Sequence, residues 1–139
     1  MKNDVIKKIN SKKLCISVIG LGYVGLPLSL LLSKKDRVIG IDIDQKKITS
    51  LNSNKSYLER IENNKIKKFN KKNIFSNNFS KIIKSDFIII CVPTPLKKNK
   101  LPDLSYIKKT MISIKKYLKP YQAISLESTT YPGTTKEII

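Results

Sequence analysis

The sequence contains no histidine and only two cysteines, Cys15 and Cys91, among its 139 residues. Without histidine, and with no cluster of side chains at metal-ligand spacing, it predicts no metal site. Two cysteines do not make the framework of a disulfide-rich secreted protein. Both lie in apolar, strand-like runs, so we expect them to be small buried hydrophobic side chains. The place of Cys91 near the end of its run leaves a role in a site open.

Long apolar runs are also missing. The longest, Phe87 to Val92, is far too short to span a bilayer. Residues 1–13 are polar and basic without an apolar segment, so they predict a flexible basic arm and not a secretory signal. We therefore expect a cytoplasmic protein without a membrane partner, with one domain over residues 14–139.

Acidic residues are scarce, since 10 Asp and Glu residues stand against 28 Lys and Arg residues, for a net charge of +18. Such an excess commonly indicates binding to nucleic acid. Only Arg37 and Arg60 are arginines, however, and arginine is the residue that bonds phosphates and bases bidentately. The lysines are spread along the chain among many Ile and Asn residues, a pattern typical of a composition bias. We expect no nucleic-acid partner, and a positive field that attracts anionic substrates.

The most specific motif present is a glycine turn between two strand-like runs. An apolar run leads into GLGYVG at residues 20–25, and a helix-like segment follows. Gly20 permits a tight turn, Gly22 lets the backbone approach a phosphate, and Gly25 lets the helix pack close to the strand. The helix N-terminus then offers N–H groups and a positive dipole end to an anion. The pattern predicts a dinucleotide-binding βαβ unit.

An acidic residue ends the second strand-like run. Asp42 lies 22 residues after Gly20, close to the spacing of about 20 that is typical of the carboxylate that binds the ribose of a dinucleotide. A carboxylate there bonds the 2′-hydroxyl and repels a 2′-phosphate, and no arginine stands nearby. The sequence therefore predicts NAD as the cofactor, although Lys46 and Lys47 leave a lysine–phosphate pairing open.

Strand-like and helix-like segments alternate along the remaining chain. The run from Phe87 to Val92 predicts a parallel strand buried on both faces, and Asp103 or Ser105 is predicted to cap a helix ending at Leu118. The alternation predicts an α/β fold with a Rossmann-like, doubly wound parallel sheet, in which ligands bind beyond the carboxyl ends of the strands. Four clusters follow strands at that edge: residues 20–25, 42, 93–95 and 127–130.

Four segments resemble the nucleotide-sugar 6-dehydrogenases, the family of UDP-glucose and GDP-mannose dehydrogenases. They are GLGYVGLP, CVPTPL, PDLSYI and LESTTYPGTT, in the family's order and at similar spacing. The last three look most like the branch that oxidises UDP-N-acetylglucosamine. The resemblance implies oxidation of the C6 alcohol of a UDP-sugar to a carboxylate with two NAD molecules, in a homodimer. Such enzymes usually serve the biosynthesis of surface polysaccharides.

The resemblance also implies roles for individual residues. Thr129 matches a threonine near the nicotinamide and the catalytic water, and is the one position with an expected catalytic role. The role of Glu127 beside it stays open. Tyr23 and Val24 match positions whose backbone contacts the cofactor pyrophosphate. Asp42 and Lys47 match positions at the adenosine ribose. Thr94 matches a threonine that lines the cofactor beyond the fourth strand.

The family's catalytic machinery is expected outside these 139 residues. In that family the catalytic cysteine lies in a glycine-rich segment of a C-terminal domain. The family's central helix pairs two subunits. Cys15 and Cys91 are therefore not expected to be nucleophiles, and residues 14–139 are expected to form an incomplete NAD-binding domain, truncated before that helix and inactive alone. The alternative is a non-catalytic dinucleotide-binding module that acts with a separate partner chain.

Overall fold

The computed structural model describes residues 10–11, 14–98 and 100–139. The predicted basic arm over residues 1–13 lies outside the described residues except at positions 10 and 11. Within the described ranges the strands are β1 (Cys15–Ile19), β2 (Arg37–Ile41), β3 (Ile74–Ser76), β4 (Phe87–Ile90) and β5 (Ala123–Leu126). The helices are α1 (Gly25–Leu32), α2 (Gln45–Asn52), α3 (Asn63–Asn70), a 3₁₀ helix (Phe79–Lys84), α4 (Ser105–Lys115) and α5 (Thr134–Ile138).

The strands form one parallel sheet in the order β3–β2–β1–β4–β5. β1 is central, and its Ile16 lies opposite Val38 of β2 and Phe87 of β4. The chain crosses β1 between β3 and β4, so the strand order reverses at β1 and opens a crevice at the carboxyl ends of β1 and β4. The predicted Rossmann-like, doubly wound fold is confirmed.

Apolar side chains bury both faces of this sheet. Val18 and Val38 face α1, α2 and α3, where Phe69 and Phe75 complete one core. Ile39 and Ile90 belong to a second core on the opposite face, with α4 and the 3₁₀ helix. Neighbouring residues of β2 thus enter opposite cores, as the two-residue period of a strand requires. Continuous apolar runs are the expected sequence of parallel strands covered on both sides.

One predicted strand and one predicted helix extend too far at their carboxyl ends. β4 ends at Ile90 and not at Val92, because the chain must turn at Cys91, whose carbonyl oxygen packs against Gly20. α4 ends at Lys115 and not at Leu118, because the N–H groups of the next residues bond three residues back, in a tighter turn.

Neither predicted residue is the N-cap of α4, which is Leu104 and forms no side-chain cap bond. The Asp103 carboxylate accepts a 3.0 Å hydrogen bond from the backbone N–H of Ser105. Ser105 itself is the first helical residue and not the cap, so that prediction was wrong. At α2, Asp44 is a side-chain cap, since it accepts bonds from the N–H groups of Lys46 and Lys47. None of the helices among the described residues has the length and apolar character needed to cross a membrane.

Gly40→Ala is expected to destabilise the sheet. A Cβ on Gly40 would lie 2.6 Å from the Phe75 ring, and that ring stacks on Phe69 with centroids 4.2 Å apart. Moving two packed rings in a dense core costs about 1–3 kcal/mol of unfolding free energy. Urea denaturation of the two proteins measures this loss.

Gly22→Ala is the matched control, because a Cβ there meets no heavy atom within 4 Å. We expect its unfolding free energy to equal that of the unchanged protein, or to exceed it slightly. An equal loss in both variants would contradict the close approach of Gly40 to Phe75.

Candidate functional site

The glycine turn connects β1 to α1 in a space that larger residues cannot occupy. Gly20 has φ +91°, and a Cβ there would lie 2.6 Å from the Cys91 carbonyl oxygen. A Cβ on Gly25 would overlap the Gly20 carbonyl oxygen. The Gly20 N–H donates to the Ile41 carbonyl at 2.8 Å, which joins the turn to β2. Both glycines are therefore required by the packing of the turn itself.

The N-terminus of α1 is open beside this turn. Val24 precedes the helix and supplies no side-chain cap. Val24 and Tyr23 are 57% and 87% exposed, respectively. A Cβ on Gly22 would enter empty space, so its absence widens the approach to the backbone. Uncapped helical N–H groups next to such a space fit a phosphate group.

Asp42 follows β2 at the same edge, with 6% of its surface exposed. Its Oδ2 accepts a 2.8 Å bond from the Leu21 N–H, and its Oδ1 accepts a 2.9 Å bond from the Asp44 N–H. Lys47 places its Nζ 3.4 Å from Oδ2. A buried carboxylate needs such partners, and these three hold it beside the glycine turn.

Tyr57 contacts the turn from the segment that follows α2. Its hydroxyl donates to the Leu21 carbonyl oxygen, and the Lys47 Nζ lies 5.7 Å from its ring centroid. Burial of the phenol, with the charges of Asp42 and Asp44, raises the pKa of Tyr57 well above its usual value. Tyr57 is therefore a protonated hydrogen-bond donor at neutral pH.

A cleft of about 410 Å³ lies over the carboxyl ends of β1 and β4. Four of the predicted cofactor-binding residues line it, two from the glycine turn and two from the Asp42 side. The helix α4 closes the opposite wall, and a thiol lies at the base. The lining includes Gly20, Gly22, Asp42, Lys47, Cys91 and Lys109.

The remaining predicted residues lie outside that lining. Tyr23 lines a neighbouring cleft of about 620 Å³ with Tyr57 and Arg60. Thr94 is half-buried and Thr129 is exposed, beyond the ends of β4 and β5 respectively, at the same edge of the sheet. The structure thus assembles Gly20, Gly22, Asp42 and Lys47 in one cleft. The other predicted residues lie outside its lining: Tyr23, Val24, Gly25, Thr94 and Thr129.

Cys91 is 9% exposed at the base of the cleft. Burial, followed by the charge of Glu127, raises the pKa of its thiol from 9.0 to about 11. A thiol with this pKa is protonated at neutral pH and is a poor nucleophile. Cys15 is half-buried in β1. Over the described ranges, no group of three or more His, Cys, Asp or Glu side chains could hold a metal ion.

Sequence reasoning missed two contributors to the site. Tyr57 stands in a Lys- and Asn-rich segment without apolar periodicity, and its partner Leu21 is 36 residues away. Lys109 lies on the exposed side of α4, and no sequence motif distinguishes it from the many other lysines. The one available signal for Tyr57 was an aromatic residue in an otherwise polar segment close to the predicted ribose site.

The NAD binding domain of the UDP-glucose/GDP-mannose dehydrogenase family matches residues 14–139. The chain is 40% identical to protein CapL of Staphylococcus aureus, over 88% of this chain and 28% of CapL. It is 38% identical to a UDP-N-acetyl-D-glucosamine 6-dehydrogenase of Pseudomonas aeruginosa, over 91% of this chain and 30% of that relative. A solved ternary complex of GDP-mannose dehydrogenase from Pseudomonas aeruginosa matches with a TM-score of 0.81 and 32% identity, over 88% of this chain and 30% of that one.

These findings confirm the predicted family resemblance. The chain spans about 30% of the length of the curated relatives it matches.

Cys91 is expected to resist alkylation in the folded protein. Its raised pKa, from 9.0 to about 11, lowers the thiolate fraction at pH 8 about 100-fold, and burial restricts access further. Iodoacetamide labelling followed by peptide mass spectrometry measures Cys91 and Cys15 separately, and labelling in urea gives the reference rate. Labelling of native Cys91 at the denatured rate would show that the thiol is exposed.

Proposed function

The chain belongs to the UDP-glucose/GDP-mannose dehydrogenase family, and on that premise we propose that it holds NAD for the oxidation of a UDP-sugar. The C6 alcohol of the sugar becomes a carboxylate, with UDP-N-acetylglucosamine as the substrate. Each NAD, when bound, accepts one hydride, so the oxidation of the alcohol to the carboxylate uses two NAD molecules and one water. The observation that carries this proposal is that Gly20 and Gly22, in the turn that leads into the uncapped helix α1, line one cleft with the buried Asp42 carboxylate.

The pyrophosphate is assigned to the glycine turn. The backbone N–H groups of Tyr23 and Val24 lie at the start of α1, where the helix dipole favours negative charge. Gly22 leaves the space for its approach, since a Cβ there would meet no atom within 4 Å. Gly20 and Gly25 act indirectly, because they allow the turn to pack against Cys91 and against itself. No lysine or arginine is needed for these contacts, because the donors are backbone groups.

The adenosine ribose is assigned to Asp42. Each carboxylate oxygen accepts more than one hydrogen bond, so Asp42 can bind a ribose hydroxyl while it keeps the Leu21 and Asp44 N–H groups. A 2′-phosphate would meet the same negative charge. Lys47 is already paired with Asp42 at 3.4 Å, which reduces its availability to a 2′-phosphate. This arrangement supports NAD over NADP.

The nicotinamide half is assigned to the edge beyond β4 and β5. Thr94 and Thr129 stand there, and Thr129 is the residue proposed to contact the reacting end of the cofactor. The Ser128 hydroxyl donates to the Val92 carbonyl at 2.6 Å, which joins the two loops. The Glu127 carboxylate accepts a 2.5 Å bond from the Ser125 hydroxyl of β5, the strand that directly precedes Glu127.

The proposed substrate is supported by one relative and by the motifs. One relative is a UDP-N-acetyl-D-glucosamine 6-dehydrogenase, and the segments around Thr94 and Thr129 resemble that branch. We extend the proposal to a homodimer, to a cytoplasmic location and to the biosynthesis of surface polysaccharides. The proposal includes neither a nucleic-acid partner nor a membrane partner.

Asp42→Asn is expected to relax the preference for NAD. Asparagine retains an acceptor for the Leu21 N–H but removes the charge that repels a 2′-phosphate. The ratio of NADP to NAD dissociation constants should fall about 10-fold or more, since a hydrogen bond to a charged group contributes about 1.5–3 kcal/mol. Isothermal titration calorimetry with both dinucleotides measures the ratio.

Asp36→Asn is the matched control, because Asp36 directly precedes β2 and lies at its opposite end from Asp42. The ratio of NADP to NAD dissociation constants in Asp36→Asn should equal that of the unchanged protein. Absence of saturable NAD binding by the unchanged protein would refute the proposed function, and equal affinities for NAD and NADP would refute the role of Asp42.

A polypeptide of these 139 residues is expected to bind NAD without oxidising UDP-N-acetylglucosamine. Both of its cysteines belong to the cofactor half, and Cys91 is buried with a raised pKa. NADH formation is followed by absorbance after addition of the sugar nucleotide. Sustained NADH production that survives Cys91→Ala would place the chemistry on other residues of this chain.

A further inference from the structure

Tyr57 lies where the glycine turn and the Asp42 side of the cleft meet. It contacts Leu21 of the turn through a hydrogen bond and Lys47 of α2 through its ring. We infer that Tyr57 is a positioning residue for the dinucleotide, which sets the orientation of the Gly22 N–H through the Leu21 peptide. The inference rests on the proposed function, since it concerns how that site holds its phosphates.

Both the backbone N–H and the backbone carbonyl of Leu21 form hydrogen bonds. Its N–H donates to Asp42 Oδ2 at 2.8 Å, and its carbonyl oxygen accepts from the Tyr57 hydroxyl. The N–H belongs to the peptide plane shared with Gly20, and the carbonyl belongs to the plane shared with Gly22. Two bonds therefore fix two successive planes, and the side chain of Leu21 is fully buried below them.

The second of these planes contains the Gly22 N–H. In a trans peptide the N–H points opposite to the carbonyl, and the described residues contain no cis peptide bond. Because the Leu21 carbonyl points to Tyr57, the Gly22 N–H points away from it. Gly22 lines the cleft that Asp42 also lines. The Tyr57 hydroxyl thus determines the direction of a backbone donor in the site without occupying the cleft.

The ring of Tyr57 connects this bond to the acidic side of the site. The Lys47 Nζ lies 5.7 Å from the ring centroid and 3.4 Å from Asp42 Oδ2. An ammonium group between a carboxylate and an aromatic face is attracted by both. The pKa of Tyr57 is raised by burial and by Asp42 and Asp44, so the hydroxyl keeps its proton over the working pH range.

Tyr57→Phe isolates the hydroxyl, because phenylalanine keeps the ring beside Lys47. We expect the affinities for NAD and ADP-ribose to fall about 5-fold, the effect of one lost hydrogen bond. The affinity for adenosine, which has no phosphate to meet the Gly22 N–H, should stay unchanged. Calorimetric titrations are made at a temperature at which circular dichroism shows both proteins fully folded.

Tyr117→Phe is the matched control. Tyr117 is also half-buried beside a lysine, with the Lys116 Nζ 5.0 Å from its ring, but it follows α4 and does not line the cleft. Its affinities should equal those of the unchanged protein.

Equal losses for adenosine and ADP-ribose in Tyr57→Phe would show a purely structural role and overturn the inference, as would no loss for either ligand. An unchanged protein that binds no ADP-ribose would overturn the proposed function and the inference with it.

A second measurement needs no variant and remains available if Tyr57→Phe does not fold. The backbone amide resonance of Gly22 in the unchanged protein should shift on addition of ADP-ribose and stay in place on addition of adenosine. A Gly22 resonance that responds to neither ligand, or equally to both, would overturn the inference.

Discussion

The hydrogen bond from the Leu21 N–H to the Asp42 carboxylate is the interaction on which the site depends. Asp42 is 6% exposed, and a charge buried this far is tolerated only when its oxygens are bonded. The available donors come from the glycine turn, from the start of α2 and from Lys47. Desolvation of the carboxylate therefore favours the convergence of the glycine turn and the first turn of α2 at the end of β2. The group assigned to the ribose is the same group that holds the turn assigned to the pyrophosphate.

The conformation of the turn also depends on steric limits at its three glycines. Side chains at Gly20 or Gly25 would collide with the backbone of Cys91 or of the turn itself, whereas a side chain at Gly22 would meet nothing. Gly20 and Gly25 are thus required by the packing of the turn, whereas Gly22 leaves the space outside the turn open. The distinction is physical, because the first two are constrained by atoms of the protein and Gly22 faces open space. The glycines of one motif therefore differ in what their replacement disturbs.

The sequence predicted the parts of the site that depend on local chemistry. The turn, the acidic strand end and the buried strands follow from glycine spacing and from continuous β-branched runs, and all of these appear in the structure. Tyr57 and the close approach of Gly40 to Phe75 did not follow, because their partners are distant in the chain and no local pattern marks them. Strand and helix ends were also misjudged where tertiary packing ends the element, as at Cys91. The roles of Thr94 and Thr129 stay predictions, since both stand outside the cleft.

The excess of positive charge bears on how an anionic cofactor reaches this site. A net charge of +18 attracts a dinucleotide over long distances, yet it does not select among dinucleotides, since NADP carries more negative charge than NAD and is attracted more. Selection must therefore be local and must oppose the general field. A buried carboxylate meets this need, because low local dielectric strengthens its repulsion of a phosphate. Lys47 is the nearest cation, and its contacts with Asp42 and with the Tyr57 ring leave it less available to attract a 2′-phosphate. In a lysine-rich chain, the proposed preference for NAD thus depends on restraint of this one lysine as well as on Asp42.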